Sequence, residues 1–281
     1  MPPTMPPLAA LLLFLSAIAT AQTTSPAKPY QEVFYQSGTL RIQSYLYKPD
    51  GNGPFPVVIY NHGSRAGRER VSVPFVYIGN VLTAGGYLVL VPERRGYGAS
   101  DGKTYAEDIG TDRGSRFVDR MQEETGDVLA ALEYLKSLPL ADRQRIAIMG
   151  WSLGGIVSVF AAGRSPVFRA VVDQAGGALA WDGSPAMQKA LKEAAAQVKA
   201  PLLAMVAQND RTTRSSEAVV QEMQKRHADA RLIVYPAYQP PQPVAPAPSG
   251  HAIFAADGAP IWQSDVMQFL SRHLGATTTR K

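Results

Sequence analysis

A serine between two glycines, in the pattern Gly-x-Ser-x-Gly at residues 150–154, is the clearest candidate for chemistry in this sequence. A short apolar run rich in β-branched residues precedes it, and residues 156–162 are apolar enough for a buried helix. Ser152 is therefore predicted at a tight turn between strand and helix, where Gly150 and Gly154 leave room for the backbone. Such a turn exposes the hydroxyl and places the following amides at a helix N-terminus, which favours negative charge. The pattern indicates a nucleophile. The alternative is a glycine-rich turn in which the serine has no catalytic role.

A serine hydroxyl attacks poorly at neutral pH unless a base takes its proton, and an acid must orient that base. Of the four histidines, His251 is the best candidate for the base because it follows a predicted strand in the segment Ser-Gly-His-Ala. The small residues there would let the imidazole reach over the sheet edge. His227 and His273 lie near the ends of predicted helices, where histidine commonly interacts with the helix C-terminus.

The remaining chain alternates short apolar strands with helices over residues 30–275. The predicted strands are residues 32–36, 40–47, 55–60, 87–92, 145–149, 168–172, 201–206 and 231–235. The predicted helices are residues 73–84, 126–138, 156–162, 186–198, 215–226 and 261–273. This alternation implies crossover connections and an α/β fold, with a doubly wound, mostly parallel sheet of eight strands. Ligands bind such sheets beyond the carboxyl ends of the strands, where the candidate residues fall.

Together these motifs resemble the α/β-hydrolase superfamily. The size of the chain and its lack of a large insertion fit the dienelactone-hydrolase-like branch best. The small-Gly-His pattern at His251 is also similar to the prolyl-oligopeptidase-like branch. The resemblance covers nearly the whole mature chain, and it implies the α/β-hydrolase fold with the nucleophile, acid and base in that chain order. Dienelactone hydrolases themselves carry a cysteine where this chain has Ser152, which leaves their substrate in doubt here.

The same resemblance suggests the other site residues. Asp210 matches the acid loop of the superfamily, while Asp173 is the rival because some members carry the acid one strand earlier. The amide of Leu153 and, by likeness of Asn-His-Gly-Ser at residues 61–64 to the oxyanion loop, the amide of Ser64 would form the oxyanion hole. His62 would then hold that loop by hydrogen bonds. Ser64 stands where many esterases have a second glycine.

Substrate preference is less determined by the sequence. Arginines that follow strands on the active-site face would favour an anionic substrate, or else serve as solvated and structural charges: Arg65, Arg68, Arg70, Arg94 and Arg95. Trp151 and Trp181 would line the site or simply pack in the core. The proline-rich residues 239–248 form a stiff extended loop that would make one wall of the cleft. Residues 175–185 and the one helix predicted after them leave space for a small lid at most.

Composition excludes several classes of protein. The 281 residues contain no cysteine, which rules out a disulfide scaffold, a thiolate nucleophile and a cysteine metal site. The net charge of +5 is too diffuse to indicate a nucleic-acid partner. No metal cluster, phosphate loop or dinucleotide fingerprint is evident, so neither metal nor cofactor is expected.

The N-terminus predicts export to the periplasm or the extracellular space. Residues 8–20 are an apolar run too short to span a bilayer comfortably, followed by a small-x-small cleavage signal. We therefore predict a signal peptide over 1–21, a polar leader over 22–29, one domain over 30–275 and a tail over 276–281. An uncleaved membrane anchor is the alternative, because residues 1–7 contain neither Lys nor Arg. After cleavage no segment would span a membrane.

The function that these features favour is a secreted serine hydrolase that cleaves carboxylic esters through an acyl-enzyme on Ser152. A small peptidase of the prolyl-oligopeptidase type, a perhydrolase and a non-catalytic binding protein of the same fold are the competing hypotheses. A small-molecule ester or a short peptide is the expected substrate, and the oligomeric state stays open.

Overall fold

The computed structural model describes residues 27–242 and 246–275. Within them the strands form one eight-stranded sheet in the order β1-β2-β4-β3-β5-β6-β7-β8. The strands are β1 Gln31–Ser37, β2 Leu40–Tyr47, β3 Phe55–Asn61, β4 Leu88–Pro92, β5 Ala141–Trp151, β6 Phe168–Gln174, β7 Leu202–Ala207 and β8 Ala230–Tyr235. In this sheet β2 pairs antiparallel with β1 and β4, and every later neighbour is parallel. The prediction of a mostly parallel eight-stranded sheet is confirmed.

Helices cover both faces of the sheet. They are α1 Val76–Ala84, α2 Tyr105–Asp108, α3 Ser115–Ser137, α4 Leu153–Arg164, α5 Pro185–Ala195, α6 Arg214–Gln224 and α7 Ala259–Leu274, with 3₁₀ turns at Trp181–Gly183, Ser249–Phe254 and Ala256–Gly258. One core cluster contains apolar residues of α3, α4, α5 and α6, and the other contains those of α1 and α7. The sheet is thus doubly wound, as its alternating sequence predicts.

The central strands are buried on both sides because each contributes side chains to both core clusters. In β3, Val57 and Ile59 belong to one cluster, while Val58 and Tyr60 belong to the other. All four side chains are fully buried. A strand buried on both faces needs a continuous apolar run rather than an alternating one, which is what the sequence of β3 shows.

Helix α3 differs most from its prediction, since it begins at Ser115 rather than at residue 126. Its first half carries Arg120 and Glu124, and Asp127 follows, all of them buried. These charged side chains interrupt the apolar repeat of the sequence, yet they are paired inside the protein. Arg120 contacts Glu124 at 2.8 Å, and Asp127 contacts Arg95 at 2.9 Å. Buried charges satisfied by partners therefore replace apolar residues on this helix face.

The predicted signal peptide, the start of the leader and the C-terminal tail lie outside the described residues, as do residues 243–245. The segmentation of the chain around the domain accordingly stays a prediction. In the parts that the structure describes, no helix has both the length and the apolarity that a bilayer span requires.

Candidate active site

Ser152 lies at the sharp turn between β5 and α4, with φ 58° and ψ −118°. A positive φ is unusual for a residue with a side chain and commonly marks a functional turn. The glycines around it are sterically required. A Cβ on Gly154 would clash with the carbonyl oxygen of Asn61, and one on Gly150 would clash with the carbonyl oxygen of Gly154. The tight turn predicted from the sequence is therefore present, and the close approach of α4 to β3 depends on Gly154.

The structure brings Asp210 and His251 together. Nδ1 of His251 lies 2.8 Å from Oδ2 of Asp210, and both residues are buried. The other carboxylate oxygen of Asp210 accepts a hydrogen bond of 2.6 Å from the amide of Arg211. Gly250 permits this contact, because a Cβ there would lie 2.5 Å from the amide nitrogen of Asp210. The pair fixes the orientation of the imidazole, as an orienting acid does for a general base.

The second ring nitrogen of His251 remains available for chemistry. Nε2 is buried and makes no hydrogen bond to any described residue, while His251 and Ser152 line the same cleft. The indole of Trp151 lies against the imidazole, with ring centroids 5.5 Å apart. The hydrogen bond to Asp210 and the packing of Trp151 leave the imidazole one nitrogen with which to exchange a proton.

Asp173, the rival acid, is not brought to His251. It is fully buried at the end of β6, where Oδ1 accepts a hydrogen bond of 2.9 Å from the amide of Gly176. A Cβ on Gly155 would clash with the same carboxylate, so Asp173 packs under the start of α4. Burial raises the pKa of Asp173 to about 7, because the charged form loses its hydration there. The geometry therefore favours Asp210 over Asp173 as the partner of His251.

The loop after β3 passes directly over Ser152. A Cβ on Gly63 would lie 3.1 Å from Cβ of Ser152 and 3.2 Å from the carbonyl oxygen of Trp151. Ser64 follows, exposed and lining the cleft. At the other side of the serine, the amide of Leu153 is in the first turn of α4, where orphan amides carry partial positive charge. The two amides predicted for an oxyanion hole thus lie on the two segments that flank Ser152.

His62 is fully buried and holds the loop after β3 in place. Its Nδ1 lies 2.7 Å from the carbonyl oxygen of Gly63, and its Nε2 lies 3.3 Å from that of Glu93. Burial, followed by the charges of Arg94 and Arg65, lowers the pKa of His62 well below its usual value. A neutral, enclosed imidazole has a supporting position here rather than that of the base.

A buried ion pair supports the same loop from below. Nη2 of Arg94 donates a hydrogen bond of 2.8 Å to the carbonyl oxygen of His62, while its Nε lies 2.7 Å from Glu124. Glu124 also accepts from Arg120 on α3. Arg94 and Glu124 are both completely buried, so this contact ties the loop over Ser152 to α3 with charged hydrogen bonds.

The arginines predicted to face the site fall into two groups. Arg70, Arg94 and Arg95 do not line the cleft, because they bond to backbone oxygens or to acidic residues elsewhere. Arg65 lines the cleft but is paired with Glu93. Arg68 lines the cleft and is exposed. Of the five predicted arginines, Arg68 is thus the one that reaches the cleft without a carboxylate partner in the described structure.

Two cleft arginines were missed by the sequence analysis. Arg113 comes from the loop between α2 and α3, and Arg211 directly follows Asp210. Neither forms an ion pair within the described residues, and no acidic side chain of those residues lines this cleft of about 680 Å³. Arg113 does not follow a strand, and site residues were expected only on loops that follow strands, so the sequence did not indicate it. Arg211 was adjacent to a predicted residue and could have been included.

The uncharged walls of the cleft partly match expectation. Trp151, Pro246 and Ala247 line it, so the proline-rich loop contributes a wall. Trp181 is buried in the core and is not among the lining residues, so its alternative interpretation as a packing residue holds. Leu179, from the short segment after β6, lines the cleft and is 39% exposed.

The doubly wound sheet and the serine turn between β5 and α4 define an α/β-hydrolase. Residues 42–240 match the model of the dienelactone hydrolase family. Because this match covers well over half of the sequence, the chain belongs to the dienelactone hydrolase family.

Individual relatives agree with this assignment. A Yersinia pestis protein provisionally named carboxymethylenebutenolidase is 27% identical over 246 residues, which cover 83% of this chain and 84% of the relative. An uncharacterised 31.7 kDa Escherichia coli protein from the traX-finO intergenic region is 32% identical over 126 residues. That alignment covers 45% of this chain and only 39% of the relative.

Solved structures share the fold at low sequence identity. A complex of acylaminoacyl peptidase matches with a TM-score of 0.67 and 20% identity, over 90% of this chain and 43% of that chain. The Pyrococcus furiosus esterase Pf2001 matches with a TM-score of 0.63 and 19% identity, over 88% of this chain and 93% of that chain. This protein therefore spans less than half of the peptidase but nearly the full length of the esterase.

Proposed function

We propose that this protein is a serine hydrolase of carboxylic esters, with Ser152 as nucleophile, His251 as base and Asp210 as orienting acid. The observation that carries the proposal is the 2.8 Å contact between His251 and Asp210 in the cleft that contains Ser152 on its strained turn. The family supports hydrolysis in general, and the provisional name of the Yersinia pestis relative supports an ester substrate.

The proposed reaction has two stages. In the first, Nε2 of His251 removes the proton of Ser152 as Oγ attacks the ester carbonyl, and the same proton passes to the alcohol oxygen as its bond to carbon breaks. In the second, His251 removes a proton from water, which attacks the acyl-enzyme and releases the carboxylic acid. The proton then returns to Oγ of Ser152. Asp210 keeps Nδ1–H directed away from the substrate and stabilises the imidazolium.

The negative charge that develops on the carbonyl oxygen requires donors. The amides of Leu153 and Ser64 flank Ser152 from α4 and from the loop after β3. Because the second amide belongs to a loop held by His62 and Arg94, its position does not depend on substrate. Fixed donors of this kind stabilise the transition state without reorganisation during the reaction.

The charge of the cleft favours an anionic substrate. Arg68, Arg113 and Arg211 line it without carboxylate partners in the described structure, whereas Arg65 is neutralised by Glu93. A cleft of one sign raises the local concentration of oppositely charged substrates. We therefore propose that the ester carries a negative group in addition to the bond that is cleaved.

Hydrolysis of p-nitrophenyl esters and fluorophosphonate labelling test the catalytic assignment. Wild type should turn over and label, while Ser152→Ala should do neither and His251→Ala should lose turnover. His227→Ala is the matched control, because His227 is exposed and should retain full activity. A folded wild-type protein that neither labels nor hydrolyses any ester would refute the proposal, and preferential cleavage of short peptides would assign it to peptidases.

The charge preference has a separate test. Replacing Arg68 or Arg211 by Ala should lower kcat/KM for a succinyl ester about tenfold, as for a lost hydrogen bond to a charged group, and leave the neutral ester unchanged. Arg226→Ala, an exposed arginine outside the cleft, controls for net charge. Equal effects on the two esters, or salt-independent rates for both, would contradict the anionic preference.

Export is a further part of the proposal, supported by the apolar run at residues 8–20 and the small-x-small pattern at residues 19–21. N-terminal sequencing of the protein from a periplasmic or culture fraction should begin at Gln22. Retention of residues 1–21 in a membrane fraction would instead indicate an uncleaved anchor.

A further inference from the structure

A second depression adjoins the cleft and is almost wholly apolar. This groove, of about 470 Å³, is formed by Val73, Phe75 and Val76 on one side and by Trp151 and Ala256 on the other. Val76 is 37% exposed, although apolar side chains of this size are more often covered. The groove thus exposes apolar surface that an apolar ligand would remove from water.

The groove and the cleft share a wall. Val73, Phe75 and Trp151 line both of them, so a molecule bound at Ser152 can extend into the groove without crossing a polar barrier. By contrast, the arginines of the cleft do not line the groove. The two depressions therefore differ in character, one cationic and the other apolar, and they meet at the shared wall, which includes Trp151 next to Ser152.

Phe75 fixes the shared wall. Its backbone is left-handed, with φ 53° and ψ 51°, immediately before α1. The ring stacks on the imidazole of His62, with ring centroids 5.5 Å apart and an interplanar angle of 5°. A bulky residue persists in this conformation only where its surroundings impose it. The wall is therefore built into the fold rather than formed by a freely rotating side chain.

The position of His251 indicates which part of an ester the groove would hold. In the proposed reaction the leaving alcohol must lie next to the imidazole that protonates it. The groove lies on the His251 side of the cleft. The ring centroids of Trp151 and His251 are 5.5 Å apart, and Ala256 closely follows the 3₁₀ turn that carries His251. The alcohol is thus the part that would enter the groove.

We propose that the groove binds an apolar alcohol part of the substrate, an inference that rests on the proposed function. The substrate class is then an ester of an apolar alcohol, with any anionic group held by the cleft arginines. Each methylene moved fully out of water favours binding roughly fourfold, and in an open groove about half of that free energy, or twofold, is expected. Four methylenes should raise kcat/KM by about an order of magnitude.

Alkyl acetates from ethyl to hexyl, followed by pH-stat, test the proposal. For the wild-type protein, kcat/KM should rise with the length of the alcohol. The value of kcat should stay level if hydrolysis of the common acetyl-enzyme limits turnover. Ala256→Trp, which fills the groove from an exposed position, should reduce the hexyl-to-ethyl ratio of kcat/KM to near one. Ala84→Trp is the matched control, since Ala84 is exposed at the end of α1 and lines neither depression, and it should preserve the wild-type ratio.

A parallel series of methyl esters with acyl chains of two to six carbons separates the alcohol side from the acyl side. If chain length increases kcat/KM only in the acyl series, or if Ala256→Trp preserves the gain in the alcohol series, the inference is refuted. Both results would leave the proposed function intact as long as Ser152 still labels with fluorophosphonate. Absence of labelling and of all turnover in folded wild type would instead overturn the proposed function itself.

Discussion

Replacing Asp173 by Asn should remove a pH-dependent destabilisation of the folded protein. The carboxyl group is completely buried, and Oδ2 has no hydrogen-bond partner among the described residues. Burial raises its pKa from 3.8 to about 7. Because the folded state retains this proton to a higher pH than the unfolded state does, stability falls as pH rises from about 4 to 7. Asn cannot titrate, so the variant should lack this part of the pH dependence.

The magnitude follows from the two pKa values. Between pH 5 and pH 8 the wild-type free energy of unfolding should fall by about 2.5 kcal/mol more than that of Asp173→Asn. The Asn amide has two N–H donors where the protonated carboxyl has one O–H donor, and the extra buried donor without a described acceptor costs about 1–3 kcal/mol relative to the protonated wild type. The variant should therefore be the less stable protein at pH 5 and should recover toward the wild-type stability at pH 8.

Urea denaturation at a series of pH values from 5 to 8, on wild type and variant in the same buffers, measures this difference. Ester hydrolysis should remain measurable in the variant, because Asp210 is the residue in contact with His251. Parallel stability curves for the two proteins would refute the assignment of a raised pKa to Asp173. Loss of turnover in a stably folded variant would refute its exclusion as the orienting acid.

Further predictions concern the proposed acid, the elbow and the buried ion pair. Asp210→Asn should lower kcat roughly 10⁴-fold, as loss of the orienting acid does in a serine protease, with unchanged circular dichroism. Gly154→Ala should lower the free energy of unfolding, measured in urea, by about 1–3 kcal/mol, because the new Cβ would clash with the carbonyl oxygen of Asn61. Gly126→Ala is in open space on α3 and should raise the free energy of unfolding by about 0.5–1 kcal/mol. Arg94→Met should lower the free energy of unfolding by about 3–5 kcal/mol, because Glu124 loses a buried partner. An unchanged midpoint of urea denaturation would contradict this pairing.

Much of this fold was predictable because its strands are buried on both faces. A run such as that of β3 has a single favourable environment, between two layers of helices, so its position follows from composition. The contact between Asp210 and His251 was predictable only in part from strand position. Both residues follow parallel strands, whose carboxyl ends meet at one edge of the sheet, but Asp173 does so too. The resemblance to the acid loop of the superfamily is what favoured Asp210.

What the sequence did not predict depends on contacts between distant charged residues. The first half of α3 was missed because Arg120 and Glu124 interrupt its apolar repeat, and only the folded protein shows that Arg94 pairs with Glu124. The same limitation applies to the arginines near the cleft. From the sequence, Arg94 and Arg68 are equivalent loop cations, yet one is buried under the loop after β3 and the other is exposed at the cleft.

The turn at Ser152 has a consequence for how the sequence can change. A non-glycine residue with φ 58° and ψ −118° costs on the order of 1–3 kcal/mol, which glycine would largely avoid. Selection for thermal robustness alone would therefore replace Ser152, whereas selection for the proposed chemistry retains it. The two kinds of selection therefore favour different residues at position 152. An increase in melting temperature on Ser152→Gly substitution would show that the serine is kept at a cost in stability.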